Sequence, residues 1–156
     1  MSIASKIKSF LDKSEVKFQS LEHSLAYTAL EIAGSQHIPG RAVIKSVIVN
    51  ADGQFWMCVL PAMHHLDFDK LKALTSAKVI RLANEGELSQ LFPDVELGAE
   101  PPFGHLYGLK VIVDKLLEEN EEIAFNAGTH TDMIQMKFND FQRLSHCSSG
   151  DIGVHV

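Results

Sequence analysis

The chain has 156 residues, 46% of them hydrophobic and 22% charged, and a formal net charge of −6. That suffices for one domain with a full hydrophobic core, and it excludes a protein that coats nucleic acid through a uniformly basic surface. The two cysteines, Cys58 and Cys147, form no metal-type pair, which fits a reducing, cytoplasmic setting, and Lys6 and Lys8 interrupt the N-terminal apolar positions, so neither a signal peptide nor a membrane segment is expected.

Ile3, Ile7, Phe10 and Leu11 recur at helical spacing and predict an amphipathic helix over residues 2–13. A short strand is expected over 17–21. Leu25, Ala29, Ile32 and Ala33 fall on one side of a second helix, 25–35, with Ser24 as its N-cap. The β-branched run 42–49 and the segment 54–60 read as strands. Asn50-Ala51-Asp52-Gly53 joins them, and Asp-Gly supplies the positive φ of a tight hairpin turn. Leu66, Leu71 and Leu74 predict a helix capped by Asp67. A strand over 79–82 and a helix over 85–92, stopped by Pro93, come next. Strands are expected at 110–113, 123–126 and 133–136, and a last short helix at 139–144. The small, polar tail after Ser145 is expected to be loose. Hairpins interspersed with helices, without a βαβ repeat or a glycine-rich phosphate loop, predict an α+β fold. Its sheet is mixed and largely antiparallel with flanking helices, spanning residues 1–146, and a short tail occupies 147–156.

Three places stand out chemically. Gly98-Ala99-Glu100-Pro101-Pro102-Phe103-Gly104 can be neither helix nor central strand. It reads as a stiff loop whose exposed backbone can approach a ligand, or as a plain rigid turn. Lys45 sits inside Val43-Ile44-Lys45-Ser46-Val47-Ile48-Val49, on the face shared by Val43, Val47 and Val49, while Ser46 points the other way with Ile44 and Ile48. A lysine on an apolar face is costly unless it meets an anion, lines a wet cavity or snorkels to water from an edge strand. Gly128 permits a turn from which His130 can reach a substrate carbonyl or a water; a histidine capping a surface turn is the plainer alternative. His64 and His65 are adjacent and poorly placed for joint ligation. No metal-binding spacing and no nucleophile elbow is present, so neither a metal nor a cofactor is expected.

These stretches, together with Val59-Leu60-Pro61-Ala62 and residues 79–87, cover most of residues 20–144 in an order that resembles the YbaK/EbsC family. Its members are aminoacyl-tRNA deacylases, and the same domain is inserted in bacterial prolyl-tRNA synthetases. The resemblance implies hydrolysis of a mischarged aminoacyl-tRNA in trans, without metal or cofactor. It places the family's strand lysine at Lys45, its Gly-x-x-x-Pro loop at Gly98, Ala99 and Pro102, and its late glycine-histidine element at Gly128 and His130. Lys45, Gly98 and His130 are the expected catalytic positions. Tyr27, Leu30, Ile44, Ser46 and Phe103 are candidate pocket residues. Alanyl-tRNA(Pro) is the favoured substrate, with cysteinyl-tRNA(Pro) and seryl- or threonyl-tRNA as alternatives, and a non-catalytic tRNA- or protein-binding module as the reading from another class. The partner expected is the aminoacyl-tRNA acceptor end, with a synthetase as a possible second. Neither DNA nor membrane is expected, and the protein is expected to be a monomer.

Overall fold

The computed structural model describes residues 3–24 and 26–155. In chain order the elements are α1 (Ile3–Lys13), β1 (Phe18–Glu22), α2 (Ala29–Ser35), β2 (Ile44–Ala51), β3 (Gln54–Pro61), β4 (His64–Leu66), α3 (Phe68–Thr75), β5 (Ile80–Leu82), α4 (Glu85–Leu91), β6 (Lys110–Asp114), β7 (Glu122–Asn126), β8 (Asp132–Lys137), α5 (Phe138–Ser145), β9 (Ser148–Gly150) and β10 (Gly153–His155). The predicted α+β architecture is present. A five-stranded sheet runs β5-β2-β3-β6-β9, and a three-stranded sheet runs β1-β8-β7. A bridge between Val43 and Ala124 joins the two. Pairing is antiparallel across β5, β2 and β3 and parallel across β3, β6 and β9.

Period-two alternation divides the core. Ile44 and Ile48 of β2, Met57 and Val59 of β3, and Val111 and Val113 of β6 pack on one face with Ile7, Leu11, Phe125 and Phe141. Val49, Ala51, Cys58 and Ile112 pack on the other with Leu71 and Ile152. Each fully buried side chain of this size contributes about 1.5–3 kcal/mol. The hairpin turn has the expected handedness, with φ of 52° at Asp52 and 90° at Gly53. Burial pushes the Cys58 thiol up to about 12, so it is inert, as its apolar neighbours predict.

Three expectations need correcting. The second helix starts at Ala29, capped by Thr28 rather than Ser24. Glu31 N–H donates to Thr28 Oγ1 at 3.1 Å and Thr28 N–H donates to Glu31 Oε1 at 3.2 Å, a reciprocal cap that Ser24 lacks. Leu25, expected to face inward from this helix, lies outside the described residues, as does Ser2 at the expected start of the first. The tail is not loose: β9 extends the large sheet and β10 pairs with β4. One apolar residue fixes it, because Ile152 is fully buried and its carbonyl accepts Asp67 N–H at 2.8 Å. Finally, the proline loop is mostly interior. Residues 99–104 are buried and only Gly98 and its predecessors Glu96 and Leu97 are exposed.

Candidate active site

The site begins with an unfinished strand pairing. Ala51 and Gln54 close the hairpin, so Lys45, Val47 and Val49 direct their backbone groups to β3, whereas Ser46, Ile48 and Asn50 direct theirs to the other side. On that side β5 pairs only with Val49, Asn50 and Ala51. Ala83 N–H reaches the Ile48 carbonyl at 2.9 Å, and there the cover ends. Among the described residues the Ile48 N–H and then the N–H and C=O of Ser46 have no backbone partner on this side, and they form the open edge of β2. The Ser46 hydroxyl is also buried without a hydrogen-bond partner among the described residues. Beside it lies a cavity of about 210 Å³, lined by Ser46, Ile48, Ala83, Leu88, Gly98 and Glu100.

Two loops form the far wall, and hydrogen bonds clamp them together. Glu96 N–H donates to the Gly128 carbonyl, and Gly128 N–H donates to the Ala99 carbonyl, both at 2.9 Å. His130 N–H donates to Glu96 Oε1 at 2.9 Å. His130 Nε2 lies 2.7 Å from the Leu97 carbonyl. A carbonyl only accepts, so Nε2 carries the proton and Nδ1 is the nitrogen left for another partner. Gly98 has a φ of +86°, and a Cβ there would lie 3.4 Å from His130 Cε1. Its N–H donates to Glu100 Oε1 at 3.2 Å. Gly104 anchors the end of the loop, since a Cβ there would approach Val111 Cγ2 to 2.9 Å and Met57 Cβ to 3.1 Å.

Lys45 occupies the opposite face of β2. It lines a cavity of about 250 Å³ with Val47, His65, Leu66, Phe68 and Leu82. Burial holds its pKa below the ordinary lysine value. Among the described residues no acid pairs with it. Lys6, Lys70 and Arg81, by contrast, pair with Asp94, Asp151 and Glu87. Val47 and Leu82 line both cavities, so the two meet around the open edge of β2.

The expected site residues thus fall into three groups. Gly98, Ala99, Gly128 and His130 belong to one clamped assembly, Ser46 lines the cavity beside it, and Lys45 adjoins it across the edge. Phe103 does not line the cavity: it is fully buried against Phe10, Phe125 and Phe141, at centroid distances of 5.3–5.7 Å. Pro102 is buried with it. Ile44 packs in the same core. Tyr27 and Leu30 are 54% and 40% exposed and line neither cavity. Glu100 was missed, although a lone carboxylate within Ala99-Glu100-Pro101-Pro102-Phe103 is an audible signal: it is 7% exposed and faces the cavity. Among the described residues no group of three His, Cys, Asp or Glu side chains could hold a metal ion.

The model of the aminoacyl-tRNA editing domain matches residues 23–144. The chain belongs to this family. The family that the sequence resembles is therefore the right one. The multifunctional Ser/Thr-tRNA deacylase ProXp-y of Escherichia coli K12 is 32% identical over 106 residues, which cover 67% of this chain and 63% of that protein. The proline–tRNA ligase of Staphylococcus saprophyticus is 29% identical over 132 residues, covering 75% of this chain and 22% of the ligase. The matched stretch thus spans less than two thirds of the length of these relatives. A solved structure proposed as a trans-editing enzyme for prolyl-tRNA synthetase superposes with a TM-score of 0.85 at 20% identity, covering 99% of this chain and 98% of that one. At that identity the editing-domain fold is what the two share.

Proposed function

We propose that this editing domain hydrolyses the ester bond of mischarged aminoacyl-tRNA in trans, with the aminoacyl group in the cavity beside Ser46 and Gly98. The observation that carries this reading is the open edge of β2. Among the described residues it offers an unpaired backbone N–H next to a small open cavity, and an unpaired lysine just around the strand. An aminoacyl ester is already activated, so orientation beside a water and donors aimed at the developing oxyanion supply the needed help. Ser46 and Ile48 offer the N–H groups left open on this edge among the described residues, whereas the Gly98 N–H is already given to Glu100. Of the two, the Ser46 N–H is the oxyanion donor in this reading. Lys45 takes a phosphate of the acceptor 3′ end, and the terminal ribose hydroxyl orients the attacking water. Water adds to the carbonyl carbon, the C–O bond to the ribose breaks, and free amino acid and intact tRNA leave.

The unpartnered Ser46 hydroxyl favours a hydroxylated side chain over the methyl of alanine. A site with a buried polar group discriminates strongly against a substrate that leaves it unpaired. Serine or threonine is accordingly the preferred amino acid, in keeping with the name of the Escherichia coli relative. Prolyl-tRNA synthetase is the candidate partner. The test is hydrolysis of alanyl-, cysteinyl-, seryl-, threonyl- and prolyl-tRNA(Pro). Seryl or threonyl ester should be cleaved fastest and prolyl ester spared; rapid loss of the prolyl ester would contradict editing.

A further inference from the structure

We infer that Glu100 is the receptor for the substrate's α-ammonium group. This rests on the deacylase reading and goes beyond it, because neither the loop glycine nor the strand lysine accounts for a carboxylate here. Glu100 is 7% exposed, and one of its oxygens accepts a single 3.2 Å bond from Gly98 N–H. Among the described residues no Lys, Arg or His pairs with it. The rest of its cavity is apolar, from Ile48, Ala83 and Leu88, except for the Ser46 hydroxyl, which is itself unpartnered. A largely buried carboxylate without a counter-charge, its second oxygen open to the cavity, gains from an arriving cation that completes its hydrogen bonds.

An aminoacyl ester brings one such cation at a fixed place. Its α-ammonium is separated from the carbonyl carbon only by Cα. A carbonyl taken by Ser46 N–H therefore puts the ammonium within the same small cavity that Glu100 faces. The pairing also gives the site a chemical filter. A free α-amine marks an aminoacyl ester, whereas peptidyl and formylated esters carry an uncharged amide in its place. The carboxylate thus selects aminoacyl-tRNA and rejects N-blocked tRNA esters.

The experiment measures kcat/KM of the wild type and Glu100→Gln on seryl-, threonyl- and alanyl-tRNA(Pro), each with a free and an N-acetylated amine. Gln keeps an acceptor for Gly98 N–H and removes only the charge; thermal melts of both proteins check the fold. The wild type should lose about ten- to a hundredfold on acetylation, the scale of a hydrogen bond to a charged group. Glu100→Gln should lose a similar factor on the free-amine esters and little on the acetylated ones, so the penalty for acetylation shrinks. A wild type indifferent to acetylation overturns the inference without any variant. An equal loss on both forms overturns it too, since Glu100 would then only hold the loop, and so does an acetylation penalty unchanged in Glu100→Gln, which would reflect the bulk of the acetyl group. Absence of hydrolysis of every ester by the wild type would instead contradict the deacylase reading, and the Glu100 assignment with it.

Discussion

Lys45 is the residue whose environment is most at odds with its type. It lies among Val47, Leu66, Phe68 and Leu82 with no acidic partner among the described residues, and burial lowers its pKa. A protonated lysine there attracts a phosphate, and a neutral one does not. Rising pH should therefore weaken substrate capture at a pH below the ordinary lysine value of 10.5. In kcat/KM profiles corrected for spontaneous hydrolysis, the wild type should show this alkaline limb. Lys45→Arg, which stays charged, should lack it. Lys45→Ala should lose about ten- to a hundredfold at neutral pH, a charged hydrogen bond's share. A Lys45→Ala protein as active as the wild type would remove Lys45 from the site. The lysine's anomaly was legible in the sequence through strand alternation alone. Its separation from the Gly98 loop by the thickness of the sheet was not, because alternation tells which face a residue takes and not which loop covers that face. Phe103 shows the same limit: an aromatic beside a binding loop reads as pocket until Phe10, Phe125 and Phe141 are seen around it.

At the scale of elements, α4 builds one wall of the cavity through Leu88, and its first turn is held by charge. Asn84 Oδ1 accepts Glu87 N–H at 2.8 Å, and Glu87 Oε1 accepts Asn84 N–H at 3.0 Å. Arg81 grips the same carboxylate through two bonds of 2.7 and 2.9 Å. Arg81 above all, then the Asn84 N–H, holds the Glu87 carboxyl down at about 2, from an ordinary 4.5. A folded-state pKa below the unfolded one means that the stabilisation is complete above about 4.5 and disappears as pH falls towards about 2. Thermal midpoints measured from pH 5 to pH 2 should therefore fall less steeply for Glu87→Gln than for the wild type. Identical slopes would show that the pair does not anchor the helix. Residues 84–87 announce such a cap in the sequence, Asn followed three residues later by Glu. The real start of α2 was announced equally well by Thr28 and Glu31, and was missed because the apolar spacing from Leu25 outweighed it. The tail was missed for the opposite reason: Ile152 and Val154 alternate with Gly153 and His155, but the run is so short and so close behind small polar residues that composition outweighed it.

For the whole molecule, the decisive fact is that β5 is too short to cover β2. The strand pattern gave both strands, but not where their pairing stops, since that depends on Ala83 turning away into the cap of α4. The consequence is an open backbone rung at Ser46 between the Gly98 loop on one face and Lys45 on the other. Hydrolysis at this edge is the central claim, and proline probes it directly. Proline is tolerated on an edge strand where the N–H meets no partner, and it removes the N–H. Single-turnover deacylation of seryl- or threonyl-tRNA(Pro) should therefore be compared for the wild type, Ser46→Ala and Ser46→Pro, with folding checked by circular dichroism. Ser46→Ala keeps the N–H and should retain measurable hydrolysis. Ser46→Pro should fall a further hundredfold or so, the cost of losing one oxyanion donor. Equal rates for Ser46→Pro and Ser46→Ala in folded proteins would contradict catalysis at the open edge of β2.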